Sequence, residues 1–206
     1  KERAILETYG ALAVGPYAKL KVGQAAYLPE ARVVEMIKDL FKESGAKSKD
    51  VAVSVSLRNT FVTTIELPSS SRTNIGDIVS LEARRYIPLP ISEVVLDWWV
   101  IPSALESGEM TENSTDAQKR DTTEVLLVAI YKEAIENYKN LIAKAGLNIK
   151  LFEIEIFSAI RSCIGRESSP VLLMDLGASV TKMAIVDYGV VRLVHTLDRG
   201  SQDLTL

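Results

Sequence analysis

The sequence predicts a mixed α and β fold, for which α+β is as apt a label as α/β, and three observations carry the prediction. Short apolar runs with period-two alternation take turns with segments whose apolar residues recur at helical spacing. The C-terminal part reads as consecutive strands joined by tight turns, the pattern of antiparallel hairpins. The chain has 206 residues, 47% of them apolar and 25% charged. That is enough for one large core or two modest ones and is ordinary for a globular protein.

Up to about Tyr27 the chain carries strand-like runs, above all Ala4 to Val14, punctuated by Gly10, Gly15-Pro16 and Gly23. Pro29 opens a helix with Val33, Val34, Ile37, Leu40 and Phe41 on one face, and Ser44-Gly45 stops it. Strands follow at Asp50 to Ser56, where Val51, Val53 and Val55 alternate with small residues, and at Thr60 to Leu67, which Pro68 breaks. Ser71 to Tyr86 reads as an amphipathic helix with Ile75, Ile78, Val79, Ala83 and Tyr86 inward, ended by Pro88 and Pro90. Arg84 and Arg85 fall in its last turn, where cations meet the helix dipole favourably.

The strand Glu93 to Ile101 contains Trp98 and Trp99, which must point to opposite faces. One belongs in the core, and the other is a candidate anchor for a partner. Ser103 to Thr122 is polar and reads as a solvated loop. A strand at Glu124 to Tyr131 leads to a helix through Ala134, Ile135, Tyr138, Leu141, Ile142 and Ala145, capped at Gly146. Next come a strand at Asn148 to Glu155, a short helix at Phe157 to Ile164 and a linker at Glu167 to Pro170. Strands at Val171 to Asp175, Val180 to Asp187 and Val190 to Leu197 follow, joined by turns at Leu176 to Ser179 and at Tyr188-Gly189. Asp203 to Leu206 reads as the opening of a helix. Both ends look like cuts, so a partial fold, a fragment of a longer chain, is expected.

Several functions are disfavoured at this level. The formal charge is -3, with Lys and Arg scattered rather than clustered, which is not the footprint of a nucleic-acid binder. Cys163 is the single cysteine, so no internal disulfide forms, as suits a reducing cytoplasm. It is expected as a small buried hydrophobe. His195 is the sole histidine, a poor basis for a metal site. Val125 to Tyr131 is far too short to cross a bilayer, so a role at the membrane is expected to be indirect, through another protein. No Ser-His-Asp set and no acid pair marks a self-sufficient enzyme.

The informative motif is DLGASVT over residues 175–181. An apolar strand delivers Asp175 at its end, Gly177 follows, and Ser179 and Thr181 bring hydroxyls into and after the turn. Gly177 lets backbone N–H groups approach an anion without a Cβ in the way, and such turn amides form an anion nest. Asp175 would repel bare phosphate, so its natural role is through a hydrated Mg2+ or a positioned water. A plain hairpin, with Asp and Gly serving turn geometry alone, explains the motif equally well. Neither GxxxxGKS/T nor GxGxxG occurs.

The segment from Asp175 to Ile185 resembles the second phosphate loop of the actin, Hsp70 and sugar-kinase superfamily. Tyr188-Gly189 through Arg192, and the stretch from Leu197 through Gly200 to Thr205, are similar to the region after that loop in FtsA and PilM. Ile65 to Pro68 and Glu82 to Asp97, with its YIP element before a strand containing LDW, look more specifically like the PilM family. The resemblance implies an actin-like, ribonuclease H-like fold. Residues 1–56 with 148–168 would form an incomplete first subdomain, 57–147 the inserted small α+β subdomain, and 169–206 the start of the second lobe.

It further implies a cytoplasmic scaffold of type IV pilus assembly, at most a weak ATPase, using ATP and Mg2+ in the full-length protein. Asp175, Gly177, Ser179, Thr181 and Gly200 would face the phosphates, with Asp175 reaching the metal through water. The implied partners are the N-terminal tail of a PilN-like membrane protein, bound in a groove by the inserted subdomain, and the pilus assembly ATPases. An FtsA-like division protein and, further off, a small-molecule kinase are the alternatives. Ser201 stands where a second glycine is common. The first phosphate loop would precede this sequence and the adenosine-binding glycines would come after it, so the chain by itself is expected to bind ATP weakly or not at all.

Overall fold

A computed structural model describes residues 5–21, 26–68, 75–101, 122–165 and 169–205 of the chain. Strands β1 (Asp50–Val55) and β5 (Asn148–Ile154) pair in parallel. Strands β2 (Thr60–Pro68), β3 (Val94–Val100) and β4 (Thr122–Tyr131) form an antiparallel sheet in the order β2-β4-β3. Strands β6 (Val171–Leu176), β7 (Thr181–Asp187) and β8 (Val190–Leu197) form an antiparallel meander. The helices are α1 (Val14–Tyr17), α2 (Glu30–Ser44), α3 (Ile75–Tyr86), α4 (Lys132–Lys144), α5 (Glu155–Cys163) and α6 (Ser201–Thr205).

Strand β4 is the centre of the small sheet and explains its own sequence. Its run VLLVAI does not alternate because both faces are covered. Val125, Leu127 and Ala129 pack with Ile65, Leu67 and α3 residues Val79 and Ala83 in one core. Leu126 belongs to a second core, with Ile154 of β5, Ile156 and Ile160 of α5, and Ala184, Val186 and Val191 of the meander. The face of α3 follows the row Ile75, Val79, Ala83 and Ile87, with the Ile87 N–H still bonded to the Ala83 carbonyl. Tyr86, predicted inward, lies on the flank of that row and is exposed.

Three further expectations are corrected. Among the described residues before β1 there is no strand, only α1 and α2. Ile5, Leu6 and Tyr9 are exposed; an apolar run advertises a strand, but a strand also needs a ladder partner, and among the described residues no strand pairs with this run. The face of α2 is half-buried rather than buried, with no fully buried residue. Cys163 is exposed, because it ends α5 on the outward side with Arg161 and Ser162. The polar loop predicted from Ser103 to Thr122 lies, but for its last residue, outside the described residues, as do the first residues of the helix predicted from Ser71 and half of the 167–170 linker.

The parallel β1–β5 pair joins chain segments that the sequence predicts to share a subdomain. Helix α4, predicted in the inserted segment, packs on α2, β4 and β5, where Tyr138 meets Phe152 at a ring separation of 6.4 Å. The meander is tied to the rest of the protein by polar contacts as well as by the shared core. Arg58 donates from Nε and Nη2 to Asp198 Oδ1 at 3.1 and 2.8 Å, and Arg192 donates to Glu124 at 2.7 Å. These pairs lie at the surface, so Arg58→Ala is expected to cost only about 0.5–1 kcal/mol in urea unfolding. A loss of several kcal/mol would mean that the pair, rather than the shared core, holds the meander in place.

Candidate functional site

The turn between β6 and β7 and the start of α6 are built as one unit. The Gly177 N–H donates to the Val180 carbonyl at 3.0 Å, closing the turn. The N–H groups of Ser201 and Gln202 donate to the carbonyls of Gly177 and Ala178 at 2.9 and 3.1 Å. Gly200 makes this approach feasible, since a Cβ there would sit 2.3 Å from the Ala178 carbonyl oxygen and 2.5 Å from the Ser179 nitrogen. The Asp203 carboxylate accepts from the Gly200 N–H at 2.8 Å, the acid half of a capping box.

The predicted site residues divide. Gly177 and Gly200 shape the turn, and Ser179 stands exposed at its tip. Thr181 is buried and its hydroxyl donates to the Arg199 carbonyl at 2.8 Å, so it braces the loop from below rather than facing outward. Among the described residues, the N–H groups of Ala178 and Ser179 have no backbone acceptor, which leaves two adjacent donors at an exposed turn.

Asp175 lies opposite Lys182 on the hairpin, and its Oδ2 accepts from the Lys182 ammonium at 3.0 Å. The same ammonium donates to Glu155 Oε2 at 2.8 Å. Glu155 Oε1 in turn accepts from the Leu57 N–H at 2.7 Å and from the Ser56 hydroxyl at 3.3 Å. Burial alone pushes the Lys182 ammonium down, but its hydrogen bonds to the two carboxylates outweigh that and hold it above the ordinary lysine value. The motif predicts a hydrated Mg2+ beside Asp175, whereas here its neighbouring charge is Lys182. Among the described residues no three His, Cys, Asp or Glu side chains come together to hold a metal ion. The Lys182 ammonium already sits between Asp175 and Glu155, where a divalent ion beside Asp175 would have to go, so the residues as placed do not suit Mg2+.

Lys182 and Glu155 escape a reading by motif. The signal for Lys182 was nonetheless in the sequence: with a turn centred at Ala178-Ser179, hairpin pairing puts residue 182 across from residue 175. Glu155 carried no such signal, because its meeting with Lys182 depends on tertiary packing of α5 against the meander.

A second feature is an apolar groove of about 500 Å³ between β3 and α5. Trp99, 55% exposed, lines one wall with Leu126 and Val128, and Phe157 and Ile160 line the other. Trp98 points the opposite way and packs in the α3 core, as the alternation of a strand requires. Asp97 and Arg161 are the charged groups at the rim. Arg161 forks onto both oxygens of Glu153, a hydrogen bond that holds the Glu153 carboxyl below its ordinary value. Strand β3 pairs only with β4 among the described strands, so an open sheet edge runs beside the groove. His195 is exposed on β8.

The parallel β1–β5 pair, the antiparallel small sheet and the hairpin turning into α6 together define a mixed α and β protein. The family model of the type IV pilus assembly protein PilM matches residues 11–205, and the chain belongs to that family. Among solved structures it is similar to the PilM-PilN type IV pilus biogenesis complex, with a TM-score of 0.69 at 22% identity over 90% of this chain and 55% of that one. It is also similar to the cytoplasmic domain of EpsL, an inner membrane component of the type II secretion system of Vibrio cholerae. There the TM-score is 0.53 at 12% identity, over 87% of this chain and 61% of that one. The chain thus spans less than two thirds of either structure, and at these identities the likeness speaks for the fold. Nothing in the comparisons favours an FtsA-like or kinase reading. No helix among the described residues is long and apolar enough to cross a membrane.

Proposed function

We propose that this chain is the partner-binding part of an actin-like scaffold of type IV pilus assembly, which takes the N-terminal tail of a PilN-like membrane protein in the groove between β3 and α5. The observation that carries the proposal is the exposed Trp99 on an apolar groove beside an open strand edge. A monomer gains nothing by leaving a tryptophan half in water, whereas an extended tail gains apolar contact there and backbone hydrogen bonds from the edge. Asp97 at the rim suits a basic residue in the tail. The partner would hold the scaffold at the cytoplasmic face of the inner membrane, with assembly ATPases as further partners.

The hairpin turn takes the phosphates of a nucleotide such as ATP in the same proposal, through the amides of Ala178 and Ser179 and the Ser179 hydroxyl. It is one wall of such a site, and weak binding by the chain alone is the consequence. In this reading residues 1–56 with 148–168 form the first subdomain, 57–147 the inserted one, and the second lobe begins near residue 169.

Trp99 also supplies the test. In the Trp98→Phe variant it is the only tryptophan. Docking of a synthetic PilN-type N-terminal peptide is expected to shift its emission to shorter wavelength as water leaves the indole. Binding by calorimetry without any change in that emission would move the partner to another surface.

A further inference from the structure

We propose that Lys182 is the resident cation of the Asp175–Glu155 pair and keeps a divalent metal out of it. Two carboxylates from different elements, one on β6 and one at the start of α5, converge on a single ammonium at 3.0 and 2.8 Å. The lysine is the least exposed of the three side chains, at 15% against 26% for Glu155 and 46% for Asp175. It therefore fills the space between the acids instead of lying over them. A half-buried pair of carboxylates facing each other without a cation would have to take up a proton or an ion, and the chain answers that need covalently.

Glu155 is in no position to turn away, because its other oxygen is held by the Leu57 N–H and the Ser56 hydroxyl. An ammonium and a divalent ion cannot share the space, since like charges at contact distance repel strongly. Where a hydrated metal would bridge such acids, this protein has a fixed single positive charge, which neither dissociates nor exchanges. The inference stands on the ion-pair geometry and is independent of whether the neighbouring turn takes a nucleotide.

Mn2+ serves as the probe, by paramagnetic broadening of backbone amide signals in the isotope-labelled chain. In the unmodified protein the amides of Glu155 and of Asp175 through Lys182 are expected to keep their intensity when Mn2+ is added. In Lys182→Met, which keeps the length and apolar stem of the side chain, the same amides are expected to lose most of their intensity. Lys182→Arg, which restores a cation, is expected to behave like the unmodified protein. Broadening of these amides in the unmodified protein would overturn the proposal, a result that does not depend on any variant folding. A folded Lys182→Met protein that stays silent would overturn it too.

Discussion

Gly200→Ala is expected to lower the stability of the chain by about 2–3 kcal/mol, the cost of overpacking where the neighbour is backbone. The added methyl would meet the Ala178 carbonyl carbon at 2.4 Å and the Ser179 nitrogen at 2.5 Å. Neither is the free end of a flexible side chain, so relief requires the 177–180 turn to lift away from α6. Lifting it lengthens the hydrogen bonds from the Ser201 and Gln202 N–H groups, now 2.9 and 3.1 Å, and frees the Thr181 hydroxyl from its bond to Arg199. Urea unfolding measures the loss. A variant within about 0.5 kcal/mol of the parent, the range of a neutral surface change, would mean that turn and helix do not touch in solution.

Trp99→Ala is expected to weaken binding of a PilN-type tail about 30-fold, the factor that a hot-spot cost of about 2 kcal/mol implies. Its effect on unfolding should be small, because the side chain is already 55% exposed and packs on no core of its own. Trp98→Ala is the internal contrast. That residue packs against the α3 core, so its loss should appear in unfolding rather than in direct contact with the tail. Equal effects of the two substitutions on affinity at preserved stability would argue against a docking surface confined to the Trp99 face.

Much of the architecture was legible because periodicity reports burial directly. The alternating valines of β1, the four-residue rows of α3 and α4, and the Tyr188-Gly189 turn, both residues at positive φ, each state their local geometry in the sequence. The first residues misled for a reason of the same kind. Their apolar runs between glycine breaks met the local condition for a strand but said nothing about a ladder partner, and Ile5, Leu6 and Tyr9 lie exposed.

The site was legible to the extent that it is local. Gly177, Ser179 and Gly200 could be picked out along the chain, while the inward turn of Thr181 is set by the Arg199 carbonyl beneath it. The Asp175–Lys182–Glu155 cluster and the groove were hidden because each is made by elements distant in sequence. The opposite facing of Trp98 and Trp99 was certain from strand geometry, but which of them faces outward depended on where α3 packs.

The most direct test of the scaffold reading is calorimetric titration of this chain with a synthetic N-terminal peptide of a PilN-like protein, with a scrambled peptide alongside. The expected result is saturable binding at about 10 μM or tighter, roughly −7 kcal/mol, by the native peptide alone. Equal heats from both peptides, or no saturable binding by the native one, would contradict the assignment of the β3–α5 groove as the docking site of the tail.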